Sequence, residues 1–410
     1  MRLSLFVARR IAFNRSSSFS RFIINIAIVA TAISVAVMIL AVALVNGFQQ
    51  VIQQKIFSFW GHIHITQYQP NAGPLTEQTP FIADPEVVKQ LKQIPGILTV
   101  NAYATKSAIV KAEKDLEGVI FKGVDRQYDW KNLQQFLQEG TPIHYRDSSY
   151  APEVIISVSL ARELHLKLHD PLIVYFIQGA GQPPRARKLT IGGIYKTGIE
   201  EYDKTYIIGD LELIRKLNDW EPGSIGGYEV FTNNYKNIQP IAGAAYEVIP
   251  DKLFMRSIEE IYPNIFAWLR LQNKNEIIIL VIMTIVAVIN MITAILILIL
   301  ERTNMIGIVK ALGMRNFNIQ KIFIYQAGYI VLAGLILGDI LGIGIAVLQK
   351  TTGFFKLPEE SYYMSVAAIS LHWWEVVLIN AGTLLICLLV LIVPSRVIRR
   401  ITPVKAIQFK

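Results

Sequence analysis

Glu301-Arg302-Thr303-Asn304-Met305-Ile306-Gly307-Ile308-Val309-Lys310-Ala311-Leu312-Gly313 is a short mixed-charge segment set between two long apolar runs. Ile277–Leu300, uncharged throughout, leads directly into it, and the next apolar run begins at Ile322. Met305, Ile308 with Val309, and Leu312 recur at helical spacing, and Gly313 stands where a helix C-terminus is usually closed. The pattern predicts a short helix pinned between two membrane spans. Such a helix is placed to press on a soluble partner and pass the force into the spans on either side. It is also placed to be a plain cytoplasmic connection whose charges orient the spans. Spacing alone leaves both readings open.

Working outward, four runs are uncharged or nearly so: Phe22–Val45, Ile277–Leu300, Ile322–Leu348 and Val376–Val393. A helix of 24 residues, the length of the first two, rises roughly 36 Å against a hydrocarbon core of about 30 Å. With 52% hydrophobic residues and a mean hydropathy of +0.40, the chain is too apolar for a soluble domain and too polar to lie wholly in lipid. The expected order is an interfacial helix over 1–21, spans over 22–45, 276–300, 322–348 and 376–394, and a mixed domain over 46–275. A coupling segment over 301–321, a short outer loop over 349–375 and a basic tail over 395–410 complete it.

The formal net charge of +9 does not point to nucleic acid. Residues 1–21, 301–321 and 395–410 together hold fourteen bases and one acid, so the rest of the chain is net acidic. That alternation across four spans places both termini and the middle loop in the cytoplasm. The charge is topological. The one cysteine, Cys387, lies in the fourth span, so the large outer segment must rely on a packed core rather than on a disulfide.

Within 46–275, strands are expected over Leu98–Lys111, Gly118–Val124, Glu153–Val158, Leu172–Ile177, Lys188–Tyr195, Tyr228–Thr232 and Lys252–Arg256, and from His62 to Thr66. Helices are expected over Pro85–Gln93, Trp130–Gln138, Ser159–His165, Leu211–Leu217, Asn237–Val248 and Ile258–Gln272, with a turn at Lys114-Asp115. The fold class is therefore an α-helical membrane protein of four spans with an α/β or α+β domain, of one or two lobes, inserted between the first and second. In the third span Gly334, Gly338 and Gly342 form a doubled small-xxx-small pattern for close helix packing. Asp339 beside them is either functional or simply water-facing, and Trp373-Trp374 marks an interface.

Chemistry is scarce. No Gly-x-x-x-x-Gly-Lys-Ser/Thr stretch occurs, so the chain carries no P-loop of its own. His62 with His64, and His165 with His169 if helical, share a face that zinc would accept, but neither pair has an evident third ligand. Glu200-Glu201 with Asp203 reads as a solvated turn. No metal and no catalytic residue is expected.

Several motifs then combine. Ala8-Arg9-Arg10, Asn46-Gly47-Phe48-Gln49, His62-Ile63-His64-Ile65, Thr197-Gly198 with Tyr202-Asp203, and Phe266-Ala267-Trp268-Leu269 resemble lipoprotein-releasing permeases of the LolC/LolE type. So do Glu301 through Gly313 and Thr402-Pro403-Val404-Lys405-Ala406-Ile407, and the likeness runs along essentially the whole chain. The resemblance implies an ABC-transporter permease of the mechanotransmission kind in the bacterial inner membrane. It would pair with a second permease chain, identical or sister, and with two cytoplasmic ATPase subunits that hold the ATP and magnesium. Glu301, Arg302, Met305, Ile308, Val309, Lys310, Leu312 and Gly313 would form the ATPase-coupling segment. A tip around Gln178, Gly181, Pro183, Pro184 and Arg185 would hook a periplasmic lipoprotein chaperone. Val37, Ile39, Leu40, Leu44, Phe48, Phe266 and Leu269 would meet the acyl chains of lipoprotein cargo among membrane lipid. The alternatives are a related permease for efflux or cell division, and a membrane-anchored sensor with no ATPase.

Overall fold

The computed structural model describes residues 18–69, 77–112, 115–145, 150–179, 181–233 and 238–400. Residues 1–17 of the expected interfacial helix with the Ala8-Arg9-Arg10 motif, residue 114 of the expected turn, residue 237 of the expected helix over 237–248, and the Thr402–Ile407 motif lie outside these, while Ser18–Arg21 belong to the first long helix. The chain divides into two compact units. A helical unit takes the chain up to Gln50, Leu269–Lys356 and the chain from Val366 onward, and a sheet unit takes Val51–Trp268 and Leu357–Ser365.

Among the described residues four helices are long and apolar enough to cross a membrane. The first, Ser18–Trp60, runs 43 residues without a break, and the second, Pro263–Glu301, runs 39. Both exceed the roughly 20 residues that a bilayer requires, because the polar Asn46–Lys55 and Asn273–Glu276 stretches keep helical spacing. The third is Asn316–Thr352 and the fourth Trp373–Val390, followed by a turn at Ile392–Ser395. Their shared core holds Val35, Ile39, Met291, Leu298, Phe323 and Val331. The expected helix over Ile258–Gln272 is two helices. Ser257 and Glu260 form a capping box on Ile258–Ile261, and a second helix opens on Pro263, which lacks the N–H that continuation would need.

Among the described residues the sheet unit has twelve strands: β1 (Ile63–Gln67), β2 (Phe81–Ile82), β3 (Ile97–Ala112), β4 (Asp115–Val124), β5 (Leu137–Gly140), β6 (Glu153–Ser157), β7 (Pro171–Phe176), β8 (Arg185–Tyr195), β9 (Tyr206–Asp210), β10 (Ser224–Ile225), β11 (Gly227–Thr232) and β12 (Leu253–Ser257). The long β3 serves two structures. Its first half pairs with β11, whose other neighbour is β1 and then β12, giving an open sheet. Its second half pairs with β7, and the ladder β3-β4-β9-β6-β8-β7 returns to β3 as a closed barrel. Closure removes the edges that would otherwise invite pairing. Alternation is clean in β7, where Leu172, Val174 and Phe176 are buried and Ile173 is exposed. Phe121 fills the interior and meets Phe176 edge-on, ring centroids 5.2 Å apart.

Two expectations change here. Trp130–Gln138 is helical only over Lys131–Gln134, and Leu137–Gly140 leaves as β5 to pair with β8. The strand β9 was not expected. All five of its residues are buried, so no polar alternation betrays it.

The first helix ends inside the sheet unit, and its last carbonyls need partners from elsewhere. Lys122 of β4 donates its Nζ to Phe59 O at 2.6 Å, and His64 Nε2 meets Trp60 O at 2.8 Å. The ammonium lies 4.2 Å from the Trp60 ring centroid and 2.7 Å from Glu229 Oε1 of β11, with both charged side chains 0% exposed. A cation at a helix C-terminus also complements the helix dipole. Burial pulls the Lys122 ammonium down and pushes the Glu229 carboxyl up to about 7, and each opposes the other's shift through its charge. Since His64 Nε2 faces a carbonyl, it carries the proton, and Nδ1 is left to accept from Tyr103 Oη at 3.1 Å. That neutral ring is fully used, and burial drives its basicity down to about 3. His62 stacks on Phe57 and accepts from Thr232 N, and burial brings it to about 4.

Two outcomes follow. Lys122→Met strands a buried carboxylate and uncaps the helix, and should cost about 3–5 kcal/mol in denaturant unfolding of the full chain. Adding Glu229→Leu should return most of that loss. Because the folded-state value of His62 is depressed, its contribution is complete above pH ~6.5 and is lost as pH falls toward 4. Glu229, with a raised value, acts in the opposite sense between about 4.5 and 7, so the effect is read by difference. His62→Asn should remove about 1.4 kcal/mol per pH unit of acid sensitivity over that window, measured by tryptophan fluorescence.

Candidate functional site

Between the second and third long helices stands Thr303–Ala311. Arg302 breaks the second helix from it, and the far end closes in a Schellman motif. Gly313, at φ +90°, donates to Lys310 O and Met314 N donates to Val309 O. Ile306 and Gly307 are buried, and Met305 and Val309 pack on the apolar core of the helical unit. Lys310 Nζ donates to Ile398 O at 2.7 Å, fastening the segment to the turn Arg396–Arg400. The opposite side carries Glu301, Asn304, Ile308, Ala311 and Leu312, all exposed, with Ile308 52% and Leu312 83% accessible. The eight residues singled out in sequence therefore divide. Met305 and Val309 hold the helix to its own chain, while Ile308 and Leu312 are presented outward.

A second cluster explains why Asn46-Gly47-Phe48-Gln49 stands out. Asn46 Nδ2 donates to Glu375 Oε1 at 2.8 Å. Gln49 Nε2 donates to Leu269 O at 3.1 Å and to Asn273 Oδ1 at 2.5 Å, bracketing the second helix. Gly47 abuts the backbone of Ala368 and Ile369, where a Cβ would lie 2.6 Å from the Ala368 carbonyl carbon. Further along, a Cβ at Gly334 or Gly338 would come within 2.7 Å of Thr31 or Val35 of the first helix, and one at Gly342 within 3.1 Å of Ala36 Cα. Asn380 Nδ2 donates to both Asp339 oxygens, at 3.0 and 2.8 Å, and so ties the third helix to the fourth.

The residues expected to meet acyl chains do not share one surface. Leu44 is exposed and Val37, Leu40 and Phe48 are partly so, but Ile39, Phe266 and Leu269 are buried in the chain. Ile39 packs at Gly342 and Phe266 stacks on Phe57, which is why they turn inward. The tip between β7 and β8 is exposed at Gly181, Pro183 and Pro184, whereas Gln178 bonds back to Phe176 O. Arg185 belongs to the body, donating to Leu217 O and pairing with Asp219.

Two sequence readings of polar residues are corrected. His165 and His169 both sit at positive φ beyond the helix Val158–Glu163, so they do not share a helical face. Asp203 is buried rather than solvated. It accepts from Thr197 N and Oγ1 and from Gly198 N, between 2.7 and 2.9 Å, and burial raises its carboxyl. Lys122 and Glu229 drew no attention in sequence, since nothing local marks a charge whose partner lies a hundred residues away.

Gly47→Val should drive the Ala368 backbone away and cost about 1–3 kcal/mol. Asn46→Ala should also lower stability, by about 1.5–3 kcal/mol for a hydrogen bond to a carboxylate. Thermal unfolding of the full chain in detergent reads both.

Residues 277–403, which contain the exposed short helix, match the FtsX-like permease C-terminal family, and residues 26–227 match the MacB-like periplasmic core domain. The chain is similar to the lipoprotein-releasing system transmembrane protein LolE of Haemophilus influenzae, 22% identical over 92% of this chain and 92% of that one. It is also similar to LolC of Neisseria meningitidis serogroup B, 22% identical over 97% and 96% respectively. The periplasmic region of MacB from Actinobacillus actinomycetemcomitans aligns over 50% of this chain and 91% of its own at 12% identity, with a TM-score of 0.34. With four apolar spans and a mixed domain between the first two, the chain belongs to the FtsX/MacB-type permeases, a family of multi-pass membrane subunits of ABC transporters.

Proposed function

We propose that this chain is the permease of an ABC transporter that extracts lipoproteins from the inner membrane and passes them to a periplasmic chaperone. The observation that carries the transporter reading is the exposed apolar side of Thr303–Ala311, where Ile308 and Leu312 face away from the core that Ile306 joins. A soluble ATPase would cover those two side chains, bind its own ATP and magnesium, and move the short helix with its flanking spans. Both termini would lie in the cytoplasm, and the working unit would hold two permease chains and two ATPases. Lipoprotein as cargo is supported by near full-length similarity to relatives named for lipoprotein release. The exposed Gly181–Pro184 tip would meet the chaperone, and Leu44, with Val37, Leu40 and Phe48 beside it, would meet acyl chains. The family match also suits a permease for efflux or cell division, in which the partner at the tip differs.

The test is release of a tagged lipoprotein from proteoliposomes holding this chain and the ABC ATPase of the same genome, with the chaperone outside. Release should require ATP and chaperone. Leu312→Glu, on an exposed position, should leave the chain folded and reduce release at least tenfold. Val309→Glu is a poor probe because it strikes the core. ATP turnover without release would favour the efflux or division reading, and a chain that binds no ATPase would overturn the transporter.

A further inference from the structure

Leu357–Ser365 lies in sequence between the third and fourth long helices, yet by its packing it belongs to the sheet unit. Four interactions hold it there. Glu359 Oε2 meets Lys196 Nζ, beyond the end of β8, at 2.6 Å. Lys55, on the far part of the first helix, donates its Nζ to Tyr363 O at 2.7 Å. The Tyr363 ring lies edge-on to Trp268, near the start of the second helix, with centroids 6.0 Å apart. Met364 is buried, and Leu357 N donates to Ser365 O to close the segment on itself. Tyr363 holds a φ of +58° as the cap of the turn Glu359–Tyr362, a conformation that a tyrosine adopts only when its surroundings impose it. Gly198 completes the seat. Its φ of +73° favours glycine, and a Cβ there would lie 2.6 Å from both Glu359 Oε1 and Lys55 Nζ, pushing these two flexible ends aside.

We propose that Leu357–Ser365 is a strap that couples the third and fourth spans to the periplasmic domain. The first and second helices enter that domain as continuous rods. The third and fourth helices lie outside the sheet unit, and the chain that joins them passes into it at Leu357–Ser365. Its contacts fall on the first helix at Lys55, the second at Trp268 and the sheet unit at Lys196. A displacement of spans three and four would thus be delivered to the same base that the two rods drive. The Lys196–Glu359 pair is half-exposed, with side chains 39% and 29% accessible, and so is the contact in this seat that competes most directly with water. The transport role of the strap rests on the function proposed above, but its attachment does not.

The experiment uses the full chain in nanodiscs, alone and with its ATPase, and reads amide hydrogen exchange. In the chain alone, Glu359→Lys faces Lys196 and Lys55 with a like charge and should speed exchange across 357–365 at least tenfold, leaving β3 and β4 unchanged. Lys196→Glu combined with Glu359→Lys should restore most of the protection. No change in exchange would overturn the attachment, and faster exchange in β3 and β4 as well would show general unfolding and overturn a dedicated strap. With the ATPase present, ATP should alter exchange in the periplasmic domain of the wild type, and Glu359→Lys should abolish that response while ATP hydrolysis stays within about twofold. A retained response would overturn the coupling. If the wild type binds no ATPase, the function proposed above fails, and transmission by the strap fails with it.

Discussion

The carbonyls of Phe59 and Trp60 end a helix of 43 residues, and the rest of the sheet unit is arranged to receive them. A helix end that leaves water needs outside donors. Here they come from β4 and β1, and the charge brought by Lys122 requires Glu229 from β11 in turn. Two ions held away from water carry a desolvation cost of several kcal/mol each, so the contact persists only if the surrounding barrel and sheet are rigid. In return, the first helix is joined to the sheet unit by directional bonds as well as by the packing of Phe59 and Trp60 on Tyr202 and Tyr206.

The helical unit solves the complementary problem. Lipid is as apolar as leucine, so burial alone does not choose which helices touch. The choice falls to small residues and to a few polar groups. Gly334, Gly338 and Gly342 admit the first helix, Asp339 and Asn380 join the third and fourth, and Asn46 reaches Glu375. The short helix Thr303–Ala311 is anchored by Ile306 and Lys310 on one side and bare on the other. One face of nine residues is thus packed on the chain and the other is exposed.

Much of this was legible in order along the chain. The spans follow from uncharged length, and the stop at Gly313 from the residue's tolerance of positive φ. Strands such as β7 follow from strict alternation. What failed was any reading that needed contrast where none exists. The strand β9 is buried on both faces, so its Tyr206-Ile207-Ile208 run has no period to read. In Met305–Leu312 every candidate face is apolar, and spacing alone did not say that Ile306 turns in while Ile308 and Leu312 turn out.

By itself, then, the sequence determined four spans, a mixed domain between the first two, and the place of the short helix, because hydropathy and turn chemistry act over a few residues. Only the tertiary structure decided that β3 would serve both a sheet and a barrel, and that His62 and His64 would be consumed as neutral hydrogen-bonding rings. It also decided that Asp203 would be buried against Thr197 and that Leu357–Ser365 would leave its flanking spans for the sheet unit. Each of those outcomes depends on a partner supplied by a different element of the fold, and a local pattern carries no record of which distant residue will supply the matching donor, charge or ring.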